Sequence, residues 1–130
     1  DIVNIVSKNA VFAGPNNAGY GSAKAAQAHL SRLLAAELGA DKIRVNSVNP
    51  DAVIADSNIW AGGWAEGRAK AYGIKVEELP AFYAKRTLLN EMILPEDIAN
   101  ACYAFVGGLL SKSTGNTLNV DGGVATAFLR

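Results

Sequence analysis

Asp1-Ile2-Val3-Asn4-Ile5-Val6-Ser7 opens the chain with β-branched residues that are apolar at odd and even positions alike. A strand with one wet face alternates, whereas a strand in a parallel sheet covered on both faces reads as a nearly continuous apolar run. The segment is therefore expected to be a buried strand. Residues 8–18 carry Gly14, Pro15, Asn16 and Asn17, too much punctuation for regular structure, and read as a loop at the strand's C-terminal end. Residues 19–38 contain no proline and much alanine, and Leu30, Leu33, Leu34 and Leu38 recur at helical spacing. Gly39 is well placed to stop that helix. Strand character returns over residues 42–49 through Ile43, Val45 and Val48, and Pro50 ends it. Strand, long helix, strand is a crossover unit, so the second strand should lie parallel to the first with a right-handed connection.

Further out, residues 51–86 are long and irregular, with Trp60, Gly62, Gly63, Trp64, Gly67, Tyr72 and Gly73 among short helical patches. Such an excursion inside a small domain is usually functional, often a lid, and the two tryptophans argue against disorder. Pro95-Glu96-Asp97-Ile98 opens a helix that runs to Phe105 or Val106, with proline in the first turn and acids favourable to the dipole. Asn116-Thr117-Leu118-Asn119-Val120 reads as a third strand, closed by Asp121-Gly122-Gly123. The whole is one α/β unit with three strands.

At 130 residues, half of them apolar, the chain suffices for one domain over 1–130 with one core. Twelve basic and twelve acidic residues cancel and are scattered, which leaves no basic stripe for nucleic acid or an anionic membrane. The single cysteine, Cys102, cannot form an internal disulfide and suits a cytoplasmic setting. No apolar run reaches the length of about 18 residues that a membrane span needs. The start at Asp1, directly on an apolar run, suggests a piece of something longer.

The chemistry points to Tyr20-Gly21-Ser22-Ala23-Lys24. A phenol and an amine at i and i+4 share one helix face. A cation about 4 Å from a phenolate, at an effective dielectric of about 20, is worth roughly 4 kcal/mol. That favours a phenolate able to exchange a proton with an alcohol or carbonyl oxygen near neutral pH. Ser7 ends the first strand, and sites in open α/β sheets gather outside the C-terminal strand ends, so Ser7, Tyr20 and Lys24 are expected to converge. Other residues read as structural. His29 has no second His or Cys nearby and no metal role is assigned to it; Cys102 reads as a small core residue. Glu77, Glu78, Lys85 and Arg86 read as solvated surface, and Asn116 and Asp121 as turn residues.

These motifs together resemble the C-terminal half of a short-chain dehydrogenase/reductase. The likeness covers nearly the whole chain: the strand ending in Ser7, the Tyr20 to Lys24 pentad, Ile43-Arg44-Val45-Asn46 before Asn49-Pro50, Pro95-Glu96-Asp97-Ile98-Ala99, and Thr114-Gly115-Asn116-Thr117-Leu118-Asn119-Val120-Asp121-Gly122-Gly123. The resemblance implies the last three strands and helices of a Rossmann-like, doubly wound parallel sheet. It also implies that Ser7 polarises the substrate oxygen, Tyr20 is the acid/base, and Lys24 binds the nicotinamide ribose and favours the phenolate. Pro50 and the backbone near Val53 would meet the nicotinamide carboxamide. The cofactor implied is NAD or NADP, with NAD favoured, and the partners are a small alcohol or aldehyde and further copies of the chain.

Two departures stand out. Asp51 follows Pro50 where the family usually has glycine, and Ala55, Asp56 and Ser57 occupy a region where it often has threonine, with Ser57 as a substitute. Nothing here matches the glycine-rich turn that meets a pyrophosphate, so the fragment alone is expected to have little activity. Within the family, residues 57–68 and Asn49-Pro50-Asp51-Ala52-Val53 are similar to the dehydrogenase region of bifunctional rhamnulose-phosphate aldolase/alcohol dehydrogenase proteins. That narrower likeness implies rhamnose metabolism and lactaldehyde as substrate, with Trp60, Trp64 and Tyr83 either shaping a small pocket or packing the lid. The competing reading is a non-catalytic oligomerisation or assembly module derived from the same fold.

Overall fold

A computed structural model describes residues 1–128; Leu129 and Arg130, which close the expected domain, lie outside the described residues. Three parallel strands, β1 (Ile2–Ile5), β2 (Val45–Pro50) and β3 (Thr117–Val120), form one sheet in the order β1-β2-β3. Ile2 pairs with Val45 and Ile5 with Val48, while Ser47 pairs with Thr117 and Pro50 with Val120. Being central, β2 is covered on both faces: Val45 and Val48 are completely buried. β1 is different. Among the described residues it pairs on one side only, with β2, and its Ile2 and Ile5 remain 37% and 41% exposed.

One long helix covers each face. Asn4 Nδ2 donates to Ser31 Oγ on α1 (Ala18–Leu38) at 2.8 Å. Its neighbour Val3 packs with Val48 and Val120 against Ala101 and Phe105 of α4 (Pro95–Val106). Adjacent strand residues point to opposite faces, so α1 and α4 sandwich the sheet. This is a doubly wound layout. The two crossovers step in one direction across the sheet but pass over opposite faces, so they have opposite hands. Only one of them can follow the right-handed rule.

The long excursion lies in the second crossover. It carries α2 (Trp64–Tyr72) and α3 (Leu79–Ala84) around a small core of its own, in which Ala65, Ala69, Leu79 and Tyr83 are buried and Trp60, Tyr72 and Phe82 pack against them. Proline opens α4, and Asp97 Oδ2 accepts from the Leu94 N–H at 2.8 Å, which satisfies one otherwise orphaned donor. α1 ends where expected, at Leu38 with Gly39 as its C-cap, though without a left-handed turn there. Gly39 keeps a right-handed φ of −62° and the chain runs on through a 3-10 turn, Gly39–Asp41, until Lys42 takes the left-handed conformation at φ 62°. A buried amide then fixes the start of β3: Asn46 Nδ2 donates to Ser113 O at 2.8 Å, and Asn46 Oδ1 accepts from the Asn116 N–H at 3.2 Å. Among the described residues no helix is long and apolar enough to cross a membrane.

Candidate active site

Beyond β1 the ladder continues for one more bond, from Val6 N–H to Val48 O at 2.8 Å, which carries Ser7 to the C-terminal edge of the sheet. Ser7 is buried, and its Oγ accepts from the Asn9 N–H at 3.1 Å, capping the 3-10 turn Lys8–Ala10. The first turn of α1 lies against that turn. A Cβ built on Gly21 would sit 3.3 Å from Asn9 O, so any side chain there makes the helix start and the serine's turn give by a few tenths of an ångström. Tyr20, the neighbour of Gly21, is 45% exposed. One helical turn on, Lys24 Nζ lies 5.9 Å from the centre of the Tyr20 ring and donates to Ile5 O at 3.1 Å and to Gln27 Oε1 at 2.9 Å. Lys24 thus ties the helix face that carries the phenol to the end of β1. Burial pulls its ammonium below the ordinary lysine value.

The close approach at Gly21 makes a prediction. Gly21→Val places a β-branched side chain against the Asn9 carbonyl and moves Tyr20 relative to Ser7. In the complete protein that carries this chain, steady-state kinetics should show kcat/KM lowered by up to about 10-fold, since the shift needed is a few tenths of an ångström and a misplacement of about 1 Å costs about 10²-fold. An unchanged kcat/KM with a folded circular-dichroism spectrum would show that the approach is irrelevant to the site.

Next to Ser7 stands a feature the sequence reading missed. Lys8 Nζ lies 2.9 Å from Asp51 Oδ1, with both side chains only 5% exposed. Arg86 Nη2 donates to the same carboxylate, to Oδ2 at 2.8 Å and Oδ1 at 3.0 Å. Arg86, expected on a solvated surface with Glu77, Glu78 and Lys85, instead closes a largely buried ion triad; the other three are exposed. Burial pulls the Lys8 ammonium down, and the attraction of Asp51 opposes that only in part. The signal was Asp51 itself, a charge directly after Pro50 at a strand end. Its partners sit in two distant segments and carry no local pattern.

The remaining candidates spread around this centre. Pro50 ends β2, and Val53 forms an isolated parallel bridge with Ile93 while its carbonyl accepts from Trp60 Nε1 at 3.3 Å. Trp60 meets Trp64 and Tyr83 edge-on at 5.1 Å and 5.4 Å, so it packs the lid, whereas Trp64 is 43% exposed beneath the Arg68 guanidinium. Tyr72 and Tyr83 share a hydrogen bond at 3.3 Å, and burial pushes the Tyr83 phenol well up. Cys102 packs against the Val48 cluster, and burial raises its thiol. His29 is exposed beside Arg32, and among the described residues no group of three His, Cys, Asp or Glu is placed to hold a metal ion. Asn116 and Asp121 hold turns: Asn116 Nδ2 donates to Ser113 Oγ, and Asp121 Oδ1 accepts from the Gly123 N–H.

Residues 1–125 match the family described as enoyl-(acyl carrier protein) reductase. The chain is 50% identical over 129 residues to the uncharacterized oxidoreductase YuxG of Bacillus subtilis (strain 168), covering 99% of this chain and 19% of that protein. It is 34% identical over 122 residues to L-xylulose reductase of Caenorhabditis elegans, covering 94% of this chain and 44% of that one. A short chain dehydrogenase family protein from Francisella tularensis subsp. tularensis SCHU S4 superposes with a TM-score of 0.83 at 29% identity, over 95% of this chain and 50% of that one. A 7α-hydroxysteroid dehydrogenase complexed with NADH and 7-oxo glycochenodeoxycholic acid does so at 0.74 and 30% identity, over 94% and 43%. The chain spans less than half the length of both curated relatives. With that match along almost its entire length, and with these relatives, the chain belongs to the short-chain dehydrogenase/reductase family.

Proposed function

We propose that the chain is the C-terminal part of one dehydrogenase domain that interconverts an alcohol and its carbonyl, with Ser7, Tyr20 and Lys24 handling the proton. The observation that carries this reading is Lys24, which lies 5.9 Å from the Tyr20 ring centre while holding Ile5 O just before Ser7. The Ser7 Oγ already accepts from a backbone N–H, so its own hydroxyl proton is left to donate to the reacting oxygen. Tyr20, exposed at the helix start, takes the proton from an alcohol or gives it to a developing alkoxide. Among the described residues Lys24 uses two of its three ammonium donors, which leaves one for a sugar hydroxyl. Lys24, with Pro50 and the backbone at Val53, suits the nicotinamide half of NAD, our preferred cofactor over NADP. Bound nicotinamide supplies or accepts the hydride.

The narrower proposal is lactaldehyde as substrate and a place beside a rhamnulose-phosphate aldolase. In its support, the matched 129 residues are 19% of the Bacillus relative, which is therefore about five times as long as this chain and longer than one domain. We also propose a cytoplasmic homo-oligomer. Leu30 and Leu33 on α1 are 51% and 45% exposed, apolar surface suited to a second copy. An assembly module without catalysis would use the same surface.

The test compares the complete protein with the 130-residue chain, using NADH and NADPH with lactaldehyde, L-xylulose and a 7-oxo steroid. The complete protein should reduce lactaldehyde best, with NADH, and the chain alone should not exceed the buffer rate. Turnover by the chain alone would refute the fragment proposal. A complete protein inert towards all three carbonyls would favour the assembly module.

A further inference from the structure

We infer that Asp51 is a positioning residue that joins the serine end of the site to the aromatic lid, so that displacing the lid displaces Ser7. The kinetic part of this inference rests on the function proposed above.

The contacts form a closed circuit. Lys8 directly follows Ser7, and its ammonium is captured by Asp51 Oδ1 at 2.9 Å. The Lys8 carbonyl accepts from the N–H groups of Val11 and Phe12, and Ser7 Oγ is held by Asn9 N–H, so fixing Lys8 fixes the turn that aims the serine hydroxyl. On the other side Asp51 holds Arg86 at 2.8 Å. The Arg86 guanidinium lies 4.3 Å over the Tyr83 ring, Tyr83 meets Trp60 at 5.4 Å, and the Trp60 indole donates to Val53 O, two residues from Asp51. Lid and serine turn therefore meet at one carboxylate. Elsewhere the lid is packed mainly on itself, around Ala65, Ala69, Leu79 and Tyr83.

A buried ion triad is weak evidence for stability, because desolvation of the ions offsets their attraction. Its better-supported use is to select one arrangement over others, and this one selects the lid's distance from Ser7. The space between Ser7 and the lid aromatics is set by that distance.

The experiment uses the complete protein, with Arg86→Gln as the lead variant because Arg86 is partly exposed and its loss can be solvated. Hydrogen exchange read peptide by peptide should quicken in the lid and also in residues 8–12, which Arg86 reaches through Asp51. With the best-reduced carbonyl of the panel above, KM should rise about ten-fold while kcat changes much less, as expected for lost positioning of the bound substrate. Asp51→Glu, which keeps the charge on a longer stem, should restore part of the protection lost in Asp51→Asn. Unchanged exchange at residues 8–12 in Arg86→Gln overturns the circuit, as does a fall in kcat with KM unmoved. The exchange arm needs no turnover. A protein that reduces none of the carbonyls would defeat the proposed function while exchange still decides the circuit.

Discussion

Tyr20→Phe in the complete protein should lower kcat by about 10²- to 10⁴-fold, the range that a positioned acid/base supplies, with KM for the carbonyl changing far less. The substitution removes one oxygen and its proton. It keeps the ring, the helix start and the cation–ring contact with Lys24, and Gly21 still lies against Asn9. Tyr20 is 45% exposed, so a change in melting temperature should be small and the lost rate can be assigned to chemistry. Lys24→Met is the informative contrast. It removes the ammonium beside the phenol and also the bond to Ile5 O, so it should reduce kcat and raise KM for the cofactor together. A Tyr20→Phe protein that retains most of its kcat would remove Tyr20 from the proton step and leave the family likeness without its chemistry.

Much of this site was legible because its signals are local. Tyr20 and Lys24 share a face by helical period, and Ser7 is a strand-end residue wherever the strand lies. The central strand was legible for a similar reason: Val45 and Val48 face opposite sides and both sides are covered, although the strand runs over Val45–Pro50 and Ile43 lies before it. The same composition reads correctly for the faces of β1, where Asn4 meets α1 and Val3 meets α4. A side-chain pattern reports what lies above and below a strand, not whether another strand lies beside it. Gly39 marked the end of α1, although the left-handed step that glycine favours falls three residues on, at Lys42, where it is tolerated at a modest cost. Least legible was the triad. Residues 8, 51 and 86 belong to a strand-end turn, a loop and the end of a lid, and charges so far apart in sequence look solvated until the fold joins them. The unequal hands of the two crossovers are equally non-local, since they follow from which faces the helices choose.

Asp51→Ala should destabilise the protein by about 3–5 kcal/mol at neutral pH, because it strands a buried ammonium rather than because it forfeits a strong bond. Lys8 is only 5% exposed and keeps only the weaker attraction of Asp121, while Arg86 can partly reach solvent. The pH dependence carries the sign. In the native protein burial outweighs Asp51 and holds the Lys8 value below its ordinary 10.5, so between that lowered value and 10.5 the unfolded chain binds the extra proton and stability rises with pH. Without Asp51 the folded value drops further and the rise begins at lower pH. The variant's deficit should therefore shrink as pH climbs from the variant's folded value to the native one, as measured by urea unfolding in steps from pH 7 to 10. Replacing all three ions together, as Lys8→Met, Asp51→Leu and Arg86→Met, should recover most of the stability lost in Asp51→Ala, since no charge of the triad is left without its partner; the buried carboxylate of Asp121, which also attracts Lys8, sets the shortfall from the native level. A deficit for Asp51→Ala under about 1 kcal/mol, or a triple variant as unstable as the single one, would contradict this account. If both results come out as expected, the triad is dispensable for folding, and what it contributes is the placement of Ser7 against the lid.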